Sequence, residues 1–436
     1  MNKKLLLAGL AGILSLATAC KKDDPSPKPT PTPQPGFTIE AKTTDLLQFD
    51  TVRLSAQGAK ADAKLSWVIN GKEVGEGKDY AFTQPRVGRY QVSLVDKTSG
   101  EKVSKDFSVT ARFTSGAFLL NEGNFGNETG TLTYIDASKQ FVLDSAYIRV
   151  NGTKLGNVCQ DMTFANGKVY IISQNGPKNG GEGLLTIADA KTLEKHKVIN
   201  DATLAKDWPT HIAVVHSRIY LRGNSGIYRG TEEGSFKLIP GTEKANKLRM
   251  VTIGELVIAT TSTNKLLVIQ DEEVKQTFTL PEGSPSGLAL APDGQLWLSY
   301  SKPNTLAKVN VSASGVKILD KHTTTQSLDK KYTATSAIFA RANQIFFTEQ
   351  SSVIYRHDFS TGETKEIVDV QKVDKQAKIY YNSLGIDPKT GHIYYASFGD
   401  YSTYKKNVTL VLDHDGKVLL KREHVNAFPA GFYFIP

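Results

Sequence analysis

Asp161-Met-Thr-Phe-Ala-Asn-Gly-Lys-Val-Tyr-Ile-Ile-Ser173 decides the fold of this chain. Two short apolar runs flank Asn166-Gly167, and both turn residues tolerate positive φ, so the segment predicts a tight β-hairpin. The same design returns at His211–Arg222, Met250–Thr260, Gly287–Ser299, Ala337–Thr348 and Ser383–Ala396. The six copies lie about 36–50 residues apart, a spacing that marks a repeat architecture. Two further short strands fit between copies, such as Leu184–Ala188 and His196–Ile199. Four strands in each repeat is the size of a β-propeller blade.

The flanks predict a further blade. Ala117-Phe-Leu-Leu-Asn121 reads as a second strand with no first strand before it, and Gly431-Phe-Tyr-Phe-Ile435 as a first strand with no successor. Pairing 430–436 with 116–121 closes a ring over 113–436 and removes two exposed edges. The expectation is seven blades, although the divergence of the copies also admits six or eight. The 36 glycines, 9% aromatic content and lack of a long amphipathic helical pattern agree with an all-β chain.

Upstream, residues 37–112 carry alternating runs at Val52–Ala56, Leu65–Ile69 and Tyr90–Leu94, with turn signals at Asn70-Gly71 and Lys97–Gly100. About seven short strands in this span predict a β-sandwich. The pattern Trp67-Val-Ile-Asn-Gly, Tyr80-x-Phe82, Gly88-x-Tyr90-x-Val92 and Phe107-x-Val109 resembles PKD-like, immunoglobulin-type modules. The resemblance implies a spacer.

Residues 1–19 read as a signal peptide. Lys3 and Lys4 precede an apolar stretch from Leu5 to Leu16, which is shorter than the ~20 residues of a membrane-spanning helix. Cys20 follows Ala17-Thr18-Ala19. The site resembles a lipobox, with Ala17 where leucine is usual, and this implies lipidation of Cys20. Lys21-Lys22-Asp23-Asp24 resembles an export signal to the outer face of an outer membrane. Residues 20–36 then combine the lipidated cysteine with a tether in which six prolines alternate. At ~3.1 Å per residue this stiff segment spans roughly 40 Å. The expected location is the outer membrane, lipid-anchored and facing the cell exterior.

Net charge is +9, of which +3 falls in residues 1–36. The remaining charges are interspersed, with no basic stripe, so nucleic acid is not an expected partner. The membrane is expected to be met through the lipid anchor alone. Cys159 has no second cysteine to pair with once Cys20 is lipidated, and it reads as a small core residue.

The blade motif resembles YncE-like and NHL-type surface propellers. Asn121-Glu-Gly-Asn-Phe-Gly126 with Gly130-Thr-Leu-Thr-Tyr-Ile-Asp136 resembles, more narrowly, surface-lipoprotein propellers that accompany TonB-dependent transporters, with BtuG-type cobalamin-capture proteins as the characterised relatives. That resemblance implies a small-molecule or glycan ligand and a TonB-dependent outer-membrane transporter as partners. The extra sandwich is a departure from the simplest members.

In a propeller, the loops entering each first strand and leaving each second strand share one face around the channel. The entry loops supply Gln160, Trp208, Thr210, His211, Arg249, Ser286, Tyr332, Tyr381, Asn382 and Phe428. The exit loops supply Asn121, Asn124, Phe125, Gln174, Asn175, Arg222, Asn224, Tyr300, Glu349, Phe398 and Tyr401. Aromatic area with Asn, Gln and Arg hydrogen-bonding groups suits a bulky polar ligand. Trp208 and Arg249 are expected to touch the ligand without supporting the blades. No catalytic group, metal site or cofactor is expected: Asp161 and His211 are the acid and imidazole expected at the channel mouth, with Glu349 in an exit loop, short of a converging set of three ligands. No Gly-x-Ser-x-Gly elbow or phosphate-binding glycine loop is present in the sequence. A partner-binding scaffold and a propeller hydrolase or lyase are the alternatives to ligand capture.

Overall fold

A computed structural model describes residues 36–329, 335–349, 351–425 and 428–436. The signal peptide, Cys20, the tether and Tyr332 lie outside the described residues. The fold is all-β with a propeller. Among the described residues, seven four-stranded sheets each run as an antiparallel meander from an inner to an outer strand. The inner strands are Cys159–Ala165, His211–Val215, Val251–Ile253, Ser284–Leu290, Ile338–Arg341, Leu384–Ile386 and Pro429–Phe434.

The opening hairpin shows how local sequence makes a blade. Cys159–Ala165 pairs with Lys168–Ser173 across Asn166-Gly167, whose φ angles are 53° and 72°. Positive φ at both positions matches the strand twist of a tight hairpin. Blades then pack face to face through the side chains that alternate across each strand. One apolar cluster, for example, joins Tyr170, Ile172 and Ile187 of one blade to Ile212, Ile219 and Leu221 of the next. The close approach at Gly156 needs a glycine, because a Cβ there would stand 1.9 Å from Ser173 Oγ.

Ring closure is a strand pairing. Phe434, Tyr433 and Phe432 lie opposite Ala117, Phe118 and Leu119, so the sheet that begins at Ala117 takes its inner strand from Pro429–Phe434. A polar staple joins the outer edge of this closing blade to that of the blade whose inner strand is Leu384–Ile386. His424, on the outer strand Val418–Val425, places Nδ1 2.8 Å from Asp144 Oδ1, and Thr133 Oγ1 donates to the same oxygen at 3.0 Å. Burial pushes the Asp144 carboxyl up, but the His424 and Thr133 hydrogen bonds and the nearby Arg422 outweigh it, so its pKa lies below the ordinary value. A depressed carboxylate stabilises the fold above its unfolded pKa and loses that contribution as pH falls through the folded value. Asp144→Asn is expected to cost about 1–3 kcal/mol at pH 7. In thermal melts it should also flatten the loss of stability below about pH 4. A variant that keeps the wild-type acid slope sinks the assignment.

The sandwich comprises a three-stranded sheet, Thr38–Ala41, Val52–Gln57 and Asp79–Phe82, and a five-stranded sheet built on Gly88–Asp96 and Lys102–Thr110. Leu54, Trp67, Phe82, Val92, Leu94 and Phe107 form its core, and Trp67 Nε1 donates to Gly77 O at 2.9 Å. It touches the propeller through Gln48 Nε2, which donates to Thr192 O at 3.0 Å, and Arg86 Nε, which donates to Val150 O at 3.2 Å. Arg112 sits at the junction, bonded to Gln48 O and Asp50 and lying 3.9 Å over the Phe141 ring. Thr192 and Phe141 belong to outer hairpins, at the opposite end of the blades from the entry loops. No helix among the described residues is long and apolar enough to cross a membrane.

Candidate functional site

Glu122 forms the centre of the loop face. It directly follows the strand Ala117–Asn121, and its backbone is pinned on two sides. Its N–H donates to Phe428 O at 2.8 Å, and its carbonyl accepts from Cys159 N at 3.0 Å. The side chain is therefore held at the seam between the closing strand and the next blade, with 8% of the residue exposed. Tyr381 Oη donates to Glu122 Oε1 at 2.8 Å, and the Gln160 side chain also bonds the carboxyl. Burial pushes the Glu122 pKa up to about 7, opposed by Tyr381, Lys247 and Gln160. Desolvation disfavours the charged form of a carboxyl and outweighs those partners here.

Lys247 faces the same point. It is exposed at the mouth, yet the surrounding protein pushes its ammonium pKa down, with Glu122 opposing and Arg222 reinforcing the shift. Arg222 is held by Ala245 O, to which Nε and Nη2 each donate at 3.2 Å, while Nη1 reaches Thr210 Oγ1 at 3.4 Å. Gln160 is buried, and its Oε1 has no hydrogen-bond partner. The mouth thus combines a carboxyl that titrates near neutrality, two cations and an unused buried acceptor.

An aromatic wall adjoins this polar centre. Tyr404 stacks on Phe428 with ring centroids 4.9 Å apart and planes 12° apart. Phe398 meets the edges of both Tyr401 and Phe428, each at 5.6 Å. Phe398 is buried beneath the wall, whereas Tyr401 is 61% exposed. The Phe428 carbonyl that receives the Glu122 N–H links the wall to the centre. Trp208, 47% exposed, stands across the face at the end of the helix Ala202–Asp207, which Asp201 caps through bonds from Thr203 N and Leu204 N.

Asp161 and Arg249 lie deeper. Arg249 Nε donates to Asp161 Oδ1 at 3.2 Å, Tyr433 Oη donates to the same oxygen at 2.7 Å, and Ile212 N donates to Oδ2 at 3.1 Å. Burial pushes the Asp161 carboxyl up, countered by Arg249, Tyr433 and Ile212. The guanidinium also lies 4.4 Å over the Tyr433 ring. This is a brace among the inner strands, and it corrects the expectation that Arg249 is dispensable to the blades.

The remaining candidates divide by burial. Tyr300 is fully buried in the cluster with Leu266, Leu288 and Leu298, so it packs between blades and does not face a ligand. His211 is likewise fully buried and bonded through Nδ1 to Thr210 Oγ1 at 3.0 Å. Asn121 and Gln174 are buried, and Asn382 donates from Nδ2 to Pro429 O at 3.3 Å. These are corrections: side chains placed at strand ends are drawn into the packing between blades, Asn382 on a backbone carbonyl and His211 on a neighbouring hydroxyl. Asn124 Oδ1 accepts from Gly126 N at 2.8 Å and shapes its own turn. Phe125 is exposed, with Lys178 Nζ 3.3 Å over its ring. Glu349 is exposed and accepts from Ser327 N at 2.7 Å. Trp208, Arg222, Tyr381 and Tyr401 are brought to the face, with Gln160 and Phe398 buried beneath it.

Sequence reasoning missed Glu122, Lys247 and Tyr404 as site residues. A charged residue at the end of a strand of four apolar residues and Asn121 was the available signal for Glu122. Among the described residues, no three His, Cys, Asp or Glu side chains form a group that could hold a metal ion.

Residues 115–435 match a family model described as "Domain of unknown function (DUF5074)". Residues 27–104 are similar to the "Penicillin-Binding Protein C-terminus Family". No curated protein matches the chain. Among solved structures, a quinonprotein alcohol dehydrogenase-like protein from Bacteroides thetaiotaomicron is 15% identical, with a TM-score of 0.59. The match covers 92% of this chain and 99% of that one. A protein from Lactobacillus plantarum is 11% identical with a TM-score of 0.50, over 74% and 100% of the two chains. At these identities the likeness is one of fold.

Proposed function

We propose that this chain, which belongs to the DUF5074 family, is a binding protein that captures a polar ligand without covalent chemistry on the loop face of its propeller. The observation that carries this reading is the pairing of the Glu122–Gln160–Tyr381–Lys247 centre with the adjoining Tyr401–Tyr404–Phe428 wall. The centre offers both donors and acceptors, and the wall offers flat apolar area, so together they suit a molecule with a planar part and several hydrogen-bonding groups.

The surface setting is part of the same proposal. Cys20 carries the lipid, residues 21–36 tether the folded part, the PKD-like sandwich acts as spacer, and a TonB-dependent outer-membrane transporter receives the ligand. Corrinoids, glycans and iron chelates are the ligand classes to try, with the BtuG-type resemblance favouring the first.

Calorimetric titration of residues 37–436 with that panel tests the reading. One class should bind at a single site. Trp208→Ala combined with Tyr401→Ala should weaken it by about tenfold or more, equivalent to about 1.4 kcal/mol. Both side chains are largely exposed, so the melting temperature should stay nearly constant. If the whole panel fails and the soluble fragment instead retains a membrane protein, capture is the wrong class.

A further inference from the structure

Lys247 and Arg222 bring two positive charges to the mouth of the loop face, and the chain holds them close together. Arg222 lies on the strand Arg218–Gly223, and its Nε and Nη2 both donate to Ala245 O at 3.2 Å. That fork ties the guanidinium to the loop that carries Lys247 two residues on. The loop is itself pinned: Asn246 N donates to Thr260 O at 2.9 Å, and Asn246 Nδ2 donates to Thr260 Oγ1 at 3.2 Å. Asn246 and Leu248 are buried on either side, so Lys247 stands exposed on a fixed backbone.

Neither cation holds an acid. Among the described residues, Asp207 acts on Arg222, and Glu122 on Lys247, through space and without a hydrogen bond. Asp207 accepts instead from Ser225 N at 2.9 Å and from the Ser225 hydroxyl. Glu122 is taken by Tyr381 and Gln160, and Asp161 by Arg249, Tyr433 and Ile212. Arg222 has neutral oxygens as its partners, the Ala245 carbonyl and the Thr210 hydroxyl. Like charges in a concave mouth focus a field that draws in an anion, and a charge-assisted hydrogen bond is about twice as strong as a neutral one.

We infer that the ligand of the loop face carries an oxyanion, a carboxylate or a phosphate ester, seated between Lys247 and Arg222, with its planar part on the Tyr404–Phe428 wall. This rests on capture at the loop face and adds the charge of what is captured. Uncharged glycans lack the group that this pair of cations selects.

The test is calorimetric titration of the folded chain with 2-naphthoate, 2-naphthyl phosphate and the uncharged 2-naphthamide. At least one of the two anions should bind one to one, about tenfold or more tightly than the amide. The tighter of the two identifies the group as carboxylate or phosphate. Lys247→Gln should weaken that anion about tenfold, whereas Lys247→Arg, which keeps the charge, should weaken it by no more than about threefold. The Lys247 side chain is exposed, so both variants keep the fold. The oxyanion site is overturned, with capture left standing, if 2-naphthamide binds as tightly as the anions or if Lys247→Gln binds them as the wild type does. It is also overturned if neither anion binds up to about 1 mM, a value that corresponds to very weak association. Capture itself falls only if the panel of corrinoids, glycans and iron chelates fails as well.

Discussion

Arg249→Ala is expected to destabilise the propeller by about 3–5 kcal/mol, the usual cost of leaving one member of a buried ion pair uncompensated. Asp161 is 1% exposed and would keep only Tyr433 Oη and Ile212 N–H as partners. The substitution also removes a cation lying over the Tyr433 ring, on the strand that closes the circle. Urea melts of the single and double variants check this. Arg249→Ala with Asp161→Ala should cost less than the sum of the two changes, because the second removes the charge that the first stranded. A loss below about 1 kcal/mol for Arg249→Ala would return the residue to the surface role expected from sequence, since surface changes are usually of that size or smaller.

The second large effect belongs to Glu122. Its pKa in the folded chain is pushed up to about 7, above the value of 4.5 for an unburied glutamate. Between those values the folded state holds a proton that the unfolded chain has released, so stability falls as pH rises through this window. The full difference is roughly 3 kcal/mol on a scale of about 1.4 kcal/mol for each pKa unit. Glu122→Gln should remove most of that slope and make the protein more stable than wild type at pH 8, with little difference at pH 5. Thermal melts across pH 5–8 measure this directly. Parallel slopes for the two proteins would mean that Glu122 does not carry the titration. The same proton should govern the loop face: above pH 7 an ionised Glu122 partly neutralises Lys247, so affinity for an anionic ligand should decline across this range.

Several features were legible because they are local. Asn166-Gly167 specified a hairpin since its two residues accept positive φ, and the recurrence of that hairpin specified a propeller. Loop placement was also readable: Trp208, Arg222, Tyr381 and Tyr401 do reach one face, since strand direction alternates strictly through a meander. Orientation was harder. The sequence reading puts both Tyr300 and Tyr401 in exit loops, yet Tyr300 lies within the strand Leu296–Ser301 and is fully buried between blades, whereas Tyr401 lies beyond its strand and is 61% exposed. The signal available was the period-two run Leu296, Leu298, Tyr300, which carries the strand through the tyrosine, whereas Gly399-Asp400 separates Tyr401 from its strand.

The amino-acid sequence alone therefore determined the repeat, the meander within each blade and the presence of a discontinuous blade, all consequences of hairpin chemistry and strand periodicity acting over a few residues. Only the tertiary structure decided the chemistry of the loop face and of the brace beneath it. Glu122 meets Tyr381 across 259 residues of chain, and Asp161 meets Tyr433 across 272. Closing the ring creates both encounters. The burial that accompanies closure makes one carboxyl titrate near neutrality and turns the other into a brace.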